Sequence, residues 1–250
     1  MTKEEGELRI QHARMIRLRL HALGVLFSVL SPCLAAPAWA QVAVSVSVES
    51  DDRFRGVSLS DGRPVLAANI AYDHVSGAYV GGSVIGVEGP GDNPRVLGYV
   101  DYAGYSARAN ASLAFDVGLT NAHYTRPIPG GYTVDYTEIY AGLVADNVSA
   151  HLYYSPNYFG TGAQTVYVDV DGAVRPARHW RLFGHLGVLT PLGGEARLGG
   201  AYVDARAGVA FEFKGCELRL AWTAVSPKPY YPSPYPQGRD AFVLGATYAF

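Results

Sequence analysis

The residues that could do chemistry in this sequence are charged side chains set singly into alternating, mostly apolar stretches. Asp101 stands in GYVDYAG, Asp116 in AFDVGL, Glu138 in YTEIYAGL, Asp169 in VYVDVD, Asp204 and Arg206 in VDARAGVAF, and Arg219 in CELRLAW. In an extended chain, side chains alternate between two faces, so each charge shares its face with the residues two positions away. Asp101 falls with Tyr99, Glu138 with Tyr136 and Tyr140, and Asp204 with Arg206, while Val, Leu, Ile and Phe fill most of the opposite faces. If such strands closed with their polar faces inward, Asp101, Asp116, Glu138 and Asp169 would line one arc. Arg206 and Arg219 would line another, and the opposed arcs would set up a transverse field that steers small polar or ionic solutes. The same charges could instead pair to rigidify or plug the interior, with Asp204, Arg206 and Arg219 as a structural network.

Enzyme chemistry has less to work with. A nucleophile, a base and an orienting group must come together, yet His74, His123, His151, His179 and His185 are scattered over several strands. No G-x-S-x-G is present. His151 shares a face with Ser149 and Tyr153, the nearest approach to a hydrolytic cluster, and an outer-membrane lipase or protease stays as a third reading. No catalytic residue is assigned. Asp51-Asp52 lie in a polar stretch and suit solvation or loop capping. Cys33 falls near the N-terminus and Cys216 is alone, so neither a disulfide framework nor a cysteine metal cluster is expected, and no cofactor. With a net charge of −2 and no basic run, nucleic acid is not an expected partner. Arg53 and Arg55, in DRFRG, suit either loop pairing and solvation or the anionic groups of lipopolysaccharide.

The elements that must position these groups are strands. The chain has 250 residues, 49% hydrophobic and 17% charged, rich in Gly and Tyr. No helix-length window shows a 3.6-residue period, and no stretch after residue 40 approaches the ~20 apolar residues of a membrane helix. Alternating segments recur instead, at Val42–Glu49, Pro64–His74, Ala78–Val87, Val96–Tyr105, Ala111–Tyr124, Thr133–Ala145, Val148–Tyr154, Thr165–Asp171, Arg178–Leu189, Gly200–Phe213, Cys216–Ala224 and Arg239–Phe250. The faces of the ninth, 178–189, are ambiguous. Tight turns at Val75–Gly77, Asp146-Asn147 and Lys214-Gly215 alternate with longer Gly/Pro-rich connections. That alternation predicts an all-β fold, a single antiparallel transmembrane β-barrel of about twelve strands occupying residues 41–250. A soluble barrel or sandwich would turn its apolar faces inward instead. Tyr72, Tyr79, Tyr102, Tyr124, Tyr154, Trp222 and Phe250, near strand ends, suit an interfacial aromatic girdle.

Residues 1–40 read as a cleaved secretory signal. Arg14, Arg17 and Arg19 precede the short apolar core Ala22–Leu30, and Ala38 and Ala40 supply small residues at −3 and −1, placing the cut before Gln41. Glu4, Glu5 and Glu7 are foreign to such a leader, so translation is expected to start at Met15. The last strand puts Phe242, Leu244, Ala246, Tyr248 and Phe250 on one face. It resembles the C-terminal strand that serves outer-membrane barrels as an assembly signal, read by the barrel-assembly machinery.

An ordered series of motifs carries a further resemblance. Asp52-Arg53-Phe54-Arg55-Gly56-Val57-Ser58, Ser76–Gly81, Asp101–Tyr105, Asp116-Val117-Gly118, Glu138–Gly142 and Tyr153–Gly160 together resemble the TorF family of Gram-negative outer-membrane porins. The family's aromatic between Asp52 and Arg53 is missing here. The resemblance covers most of residues 44–225. It implies an outer-membrane barrel in contact with lipid and lipopolysaccharide, and a porin-like channel passing small polar or ionic solutes by passive diffusion through a narrow lumen. The pore-lining set then reads Tyr99, Asp101, Asp116, Tyr136, Glu138, Tyr140, Asp169, Asp204, Arg206 and Arg219. The alternative is a closed structural or surface-interaction barrel, with the Tyr/Pro-rich segment 226–238 as a sticky surface.

Overall fold

The computed structural model describes residues 40–88, 93–125, 133–193, 200–226 and 240–250. The leader reading, with Ala38 and the Met15 start, lies outside the described residues, as do 89–92, 126–131 and 227–238 of the loop segments.

Alternation does what it predicts. The strands are β1 (Ala40–Glu49), the short β2 (Arg53–Phe54) and β3 (Val57–Ser58), then β4 (Val65–His74), β5 (Ala78–Glu88), β6 (Pro94–Arg108) and β7 (Leu113–Thr125). They continue through β8 (Thr133–Ala145), β9 (Val148–Ser155), β10 (Gln164–Ala177), β11 (Trp180–Gly193), β12 (Tyr202–Phe213), β13 (Cys216–Ser226) and β14 (Asp240–Ala249). β1 and β4 to β14, twelve strands, form one closed antiparallel barrel. Each strand pairs with its neighbours in sequence, and β1 closes the ring against β14, with Val46 opposite Tyr248 and Glu49 opposite Gly245. Closure leaves no free sheet edge. No helix among the described residues is long and apolar enough to cross a membrane.

The barrel is inside out relative to a soluble one. Phe242 and Leu244 are 72% and 62% exposed, whereas Glu138 and Asp204 are 3% and 2% exposed. Val42, Leu66, Ile70, Phe115, Val117, Ile139, Leu152, Leu186 and Leu218 continue the apolar exterior around the ring. In water such a surface would be unfavourable by roughly 25 cal/mol per Å² of apolar area. In hydrocarbon it carries no penalty, and the closed ladder satisfies the backbone. The ambiguous ninth segment resolves with Leu182, Leu186 and Val188 outside and Arg181 and Leu189 buried.

The short turns gather at one end of the barrel. Lys214-Gly215, both at positive φ, make the tight hairpin between Phe213 and Cys216. The strand ends that the longer connections join lie at the other end. Phe242, Tyr248 and Phe250 all lie on the outer face, the rings of Tyr248 and Phe250 meeting edge to face at 5.0 Å.

One strand departs from the expected faces. Tyr99 and Asp101 are outside the barrel, and Val100 and Tyr102 are inside. The cause is a bulge. The register of β6 on β5 shifts between Ile85 and Gly86, and Leu97 and Gly98 are both buried in succession. An extra residue reverses the faces of everything beyond it. Outside, Asp101 lies opposite Asn121, whose Nδ2 donates to Thr137 Oγ1 at 2.8 Å. Tyr99 stacks on His123 at 4.8 Å, and His123 bonds Asp135. This polar cluster sits toward the long-loop ends of β6 to β8, beyond the apolar band of Phe115, Val117, Leu119 and Ile139. The girdle also needs correcting: Tyr72, Tyr154, Trp222 and Phe250 are on the outer face, but Tyr79, Tyr102 and Tyr124 point inward.

Candidate functional site

The interior is organised around the first long connection, residues 50–64. Its Phe54-Arg55-Gly56-Val57 forms a two-residue hairpin, with Phe54 paired to Val57 and both Arg55 (φ 49°) and Gly56 (φ 76°) left-handed. That is the turn whose twist suits antiparallel strands. Asp51 ties the hairpin to itself: its carboxylate accepts from Arg53 Nε at 2.6 Å, Ser58 Oγ at 2.5 Å and Ser60 Oγ at 2.9 Å. Ser60 Oγ in turn accepts from the Asp52 amide at 3.0 Å. Arg53 and Asp51 therefore pair within the loop.

The hairpin lies across the bore. Arg55 donates Nη1 and Nη2 to the two oxygens of Glu138 on β8, both at 2.8 Å. Its guanidinium stands 3.7 Å from the Tyr167 ring centre on β10, with Phe54, Tyr153 and Tyr158 at 4.6, 5.4 and 5.6 Å. Burial opposes its charge, but Glu138 outweighs this and holds its pKa well above the ordinary value. The next residue, Gly56, packs against β13 on the far wall, where a Cβ would come within 2.6 Å of the Ala224 carbonyl oxygen. The β9–β10 connection adds a short 3₁₀ turn, Tyr158–Gly160, and Phe159 packs on Phe54 at 5.7 Å and Tyr136 at 4.5 Å.

Beneath the hairpin the wall charges form networks. Tyr79 Oη donates to Asp116 Oδ1 at 2.8 Å and shares a short hydrogen bond with Tyr140. The buried His151 ring lies between Asp116 Oδ2 at 3.9 Å and Asp169 Oδ1 at 3.4 Å, so carboxylates, not a nucleophile, bracket it. His185 bonds Asp171 and Asp204, each at 3.0 Å, and Tyr167 Oη also reaches Asp204. Arg206 lies 3.8 Å from Asp171. Arg219 bonds Glu49 at 2.5 Å, reaching over Gly245, where a Cβ would sit 3.3 Å from its Nε. Arg181 joins Glu212 and Glu217. Each member of the expected Asp204–Arg206–Arg219 grouping also has a partner on another strand: His185 for Asp204, Asp171 for Arg206 and Glu49 for Arg219. Among the described residues, Asp169, Asp171 and His185 bring ligand atoms within 4.8 Å of one another, an arrangement that could hold a metal ion. His185 is already bonded on both sides.

Of the sequence-derived lining set, Asp116, Tyr136, Glu138, Tyr140, Asp169, Asp204, Arg206 and Arg219 face the interior, and Tyr99 and Asp101 do not. The aromatics lie flat on the wall over glycines of the adjoining strand. A Cβ on Gly118 would meet Tyr140 Oη at 2.6 Å, and one on Gly187 would meet Tyr167 Oη at 1.9 Å. A cavity of about 100 Å³ lies among the hairpin, Glu138, Tyr167, Asp204, Arg206 and Arg219. The sequence-derived lining set omits Arg55, Glu49, His185 and Tyr167, although Tyr167 shares the face of Asp169. An Arg-Gly pair between Phe54 and Val57 was the available sign of the hairpin.

Two tests arise here. Glu49 and Arg219 clamp the seam where first and last strands meet. Glu49→Gln is expected to lower the temperature at which the folded barrel loses its heat-modifiable gel mobility, while Arg175→Gln, whose partner Glu212 keeps Arg181, leaves it nearly unchanged. Asp52 is buried beside Glu49 and Asp51; burial first, then these carboxylates, push its pKa up to about 8. The docked hairpin therefore holds a proton that a released, solvated Asp52 gives up near pH 4. Docking is most favourable below that value, weakens progressively up to about pH 8, and changes no further above it. Hairpin cleavage by trypsin, corrected for protease activity, should rise with pH across this window, and Asp52→Asn should flatten the profile.

An apolar exterior, a charged interior and a ring closed by antiparallel pairing define a transmembrane β-barrel of porin architecture. The chain shares this fold with the KdgM porin, at TM-score 0.52 and 13% identity over 83% of this chain and 99% of that one. The NanC porin matches at TM-score 0.53 and 6% identity, over the same shares. The chain belongs to the family described as "Bacterial protein of unknown function (Gcw_chp)", whose model matches residues 35–243. The finer TorF relationship is not part of that description. No curated protein matches the sequence.

Proposed function

We propose that this protein is an outer-membrane channel of the TorF kind, passing small polar or ionic solutes through a lumen that the 51–60 hairpin closes. The observation that carries this reading is what fills the bore. The wall aromatics are folded back over glycines, and the obstruction is a self-bonded loop docked by the Arg55–Glu138 ion pair and by the packing of Phe54 and Gly56. A barrel meant to be solid has its own side chains to fill it, as eight-stranded barrels do. The porin fold supports the reading. With acids on β7, β8, β10 and β12 facing the bore, cations are the favoured solutes. The apolar exterior suits outer-membrane lipid and lipopolysaccharide, and Phe242, Tyr248 and Phe250 suit recognition by the barrel-assembly machinery. No catalytic role is proposed.

The closed structural barrel is the second reading, favoured by the burial of Arg55 and Glu138. Single-channel recording of refolded residues 41–250 in a planar bilayer separates the two. Discrete steps with a cation preference support the channel. A folded barrel without steps, from which hairpin excision also yields none, supports the closed form.

A further inference from the structure

We propose that Glu138 with Tyr153, Tyr158 and Tyr167 forms a binding site for guanidinium-bearing organic cations, occupied in this conformation by the protein's own Arg55. The wall contributes everything such a ligand needs. Glu138 is buried and offers both oxygens to one planar fork, each bond 2.8 Å long. Three rings that do not belong to the hairpin stand within 6 Å of the guanidinium carbon, Tyr167 face-on at 3.7 Å. A carboxylate plus aromatic faces is the general chemistry of organic-cation recognition. Asp169 and Asp204 line the same cavity, which His185, Arg206 and Arg219 share, so an arriving cation also meets carboxylates beyond Glu138.

Two observations make exchange reasonable. Arg53, Asp51, Ser58 and Ser60 bond one another, so the hairpin keeps its shape without the wall. Glu138 left unpaired in the interior would be costly, so a solute of matching geometry competes directly for Arg55's place. The inference deepens the channel reading by naming its solute class: an arriving guanidinium takes over Glu138, and the hairpin is released.

The test uses refolded residues 41–250 and agmatine as probe. Calorimetry on Arg55→Ala, which empties the site, is expected to show agmatine binding at least tenfold tighter than to the wild type. Adding Glu138→Gln to Arg55→Ala should remove that gain. If Arg55→Ala fails to refold, the wild type suffices: agmatine should speed chymotrypsin cleavage after Phe54 several-fold over sodium chloride of equal ionic strength. No binding to a folded Arg55→Ala barrel, binding indifferent to Glu138→Gln, or cleavage unchanged by agmatine overturns the site. The binding readout does not depend on current. Binding with no conductance even after hairpin excision would leave the site standing and overturn the channel, and conductance without binding would do the reverse.

Discussion

Replacing residues 51–62 by a four-residue Gly/Asn turn is expected to raise single-channel conductance several-fold. Glu49 and Val65 are directly opposite on adjoining strands, so a short turn spans the gap without straining the ladder. The excision removes Phe54, Arg55 and the Gly56 contact with β13, the parts that cross the bore. What is left is the wall, with Tyr140 and Tyr167 lying over Gly118 and Gly187. Ion current rises with the narrowest cross-section, and the hairpin sets that cross-section. Glu138 then loses Arg55 and stands in the bore as an uncompensated carboxylate, so cation preference should rise together with conductance. A folded excision variant with the conductance of the wild type would mean that the wall closes the lumen unaided.

Glu138→Gln is expected to undock the hairpin while leaving the barrel intact. The substitution keeps the shape of the side chain and removes its charge, stranding Arg55 among aromatic rings. Removing one partner of a buried pair typically costs about 3–5 kcal/mol. Arg55 escapes that penalty by leaving with the hairpin, whose own bonds through Asp51 survive. Trypsin should then cut at Arg53 and Arg55, which are protected in the wild type by burial. The heat-modifiable gel shift should persist, because the twelve-strand ladder does not involve Glu138's carboxylate. Protection equal to the wild type would show that Phe54, Phe159 and the Gly56 contact hold the hairpin without the ion pair. The two experiments are complementary: excision asks whether the hairpin closes the bore, and Glu138→Gln asks what keeps it there.

Much of this was legible along the chain because it is local. Strand alternation is a period-two property of neighbouring residues, so twelve strands, their turns and the inward course of Asp116, Glu138, Asp169, Asp204, Arg206 and Arg219 follow from spacing. The outward apolar face followed too, since Phe242 to Phe250 and Leu113 to Leu119 alternate without interruption. Where alternation broke, the reading broke. At Leu97-Gly98 one extra residue reversed β6, and nothing in GYVDYAG marks a bulge; it exists only against the register of β5. Tyr79, Tyr102 and Tyr124 read from sequence as outward girdle residues, yet an aromatic near a strand end suits either a lipid interface or a lumen wall. Glycines on the adjoining strand decided it, and adjacency is known only once the strands pair.

The interior partnerships were out of reach for the same reason. Arg55 and Glu138 are 83 residues apart, and Arg219 and Glu49 are 170 apart. Charge type, and face wherever alternation runs unbroken, were determined by the sequence alone, whereas pairing was decided by tertiary structure. A charge finds its partner across a closed bore whose geometry depends on every strand's register. DRFRG showed an acid, two arginines and a glycine. Only the folded barrel placed its second arginine against Glu138 and its glycine against the opposite wall, because a loop's docking position is set by the cavity it enters rather than by its own residues.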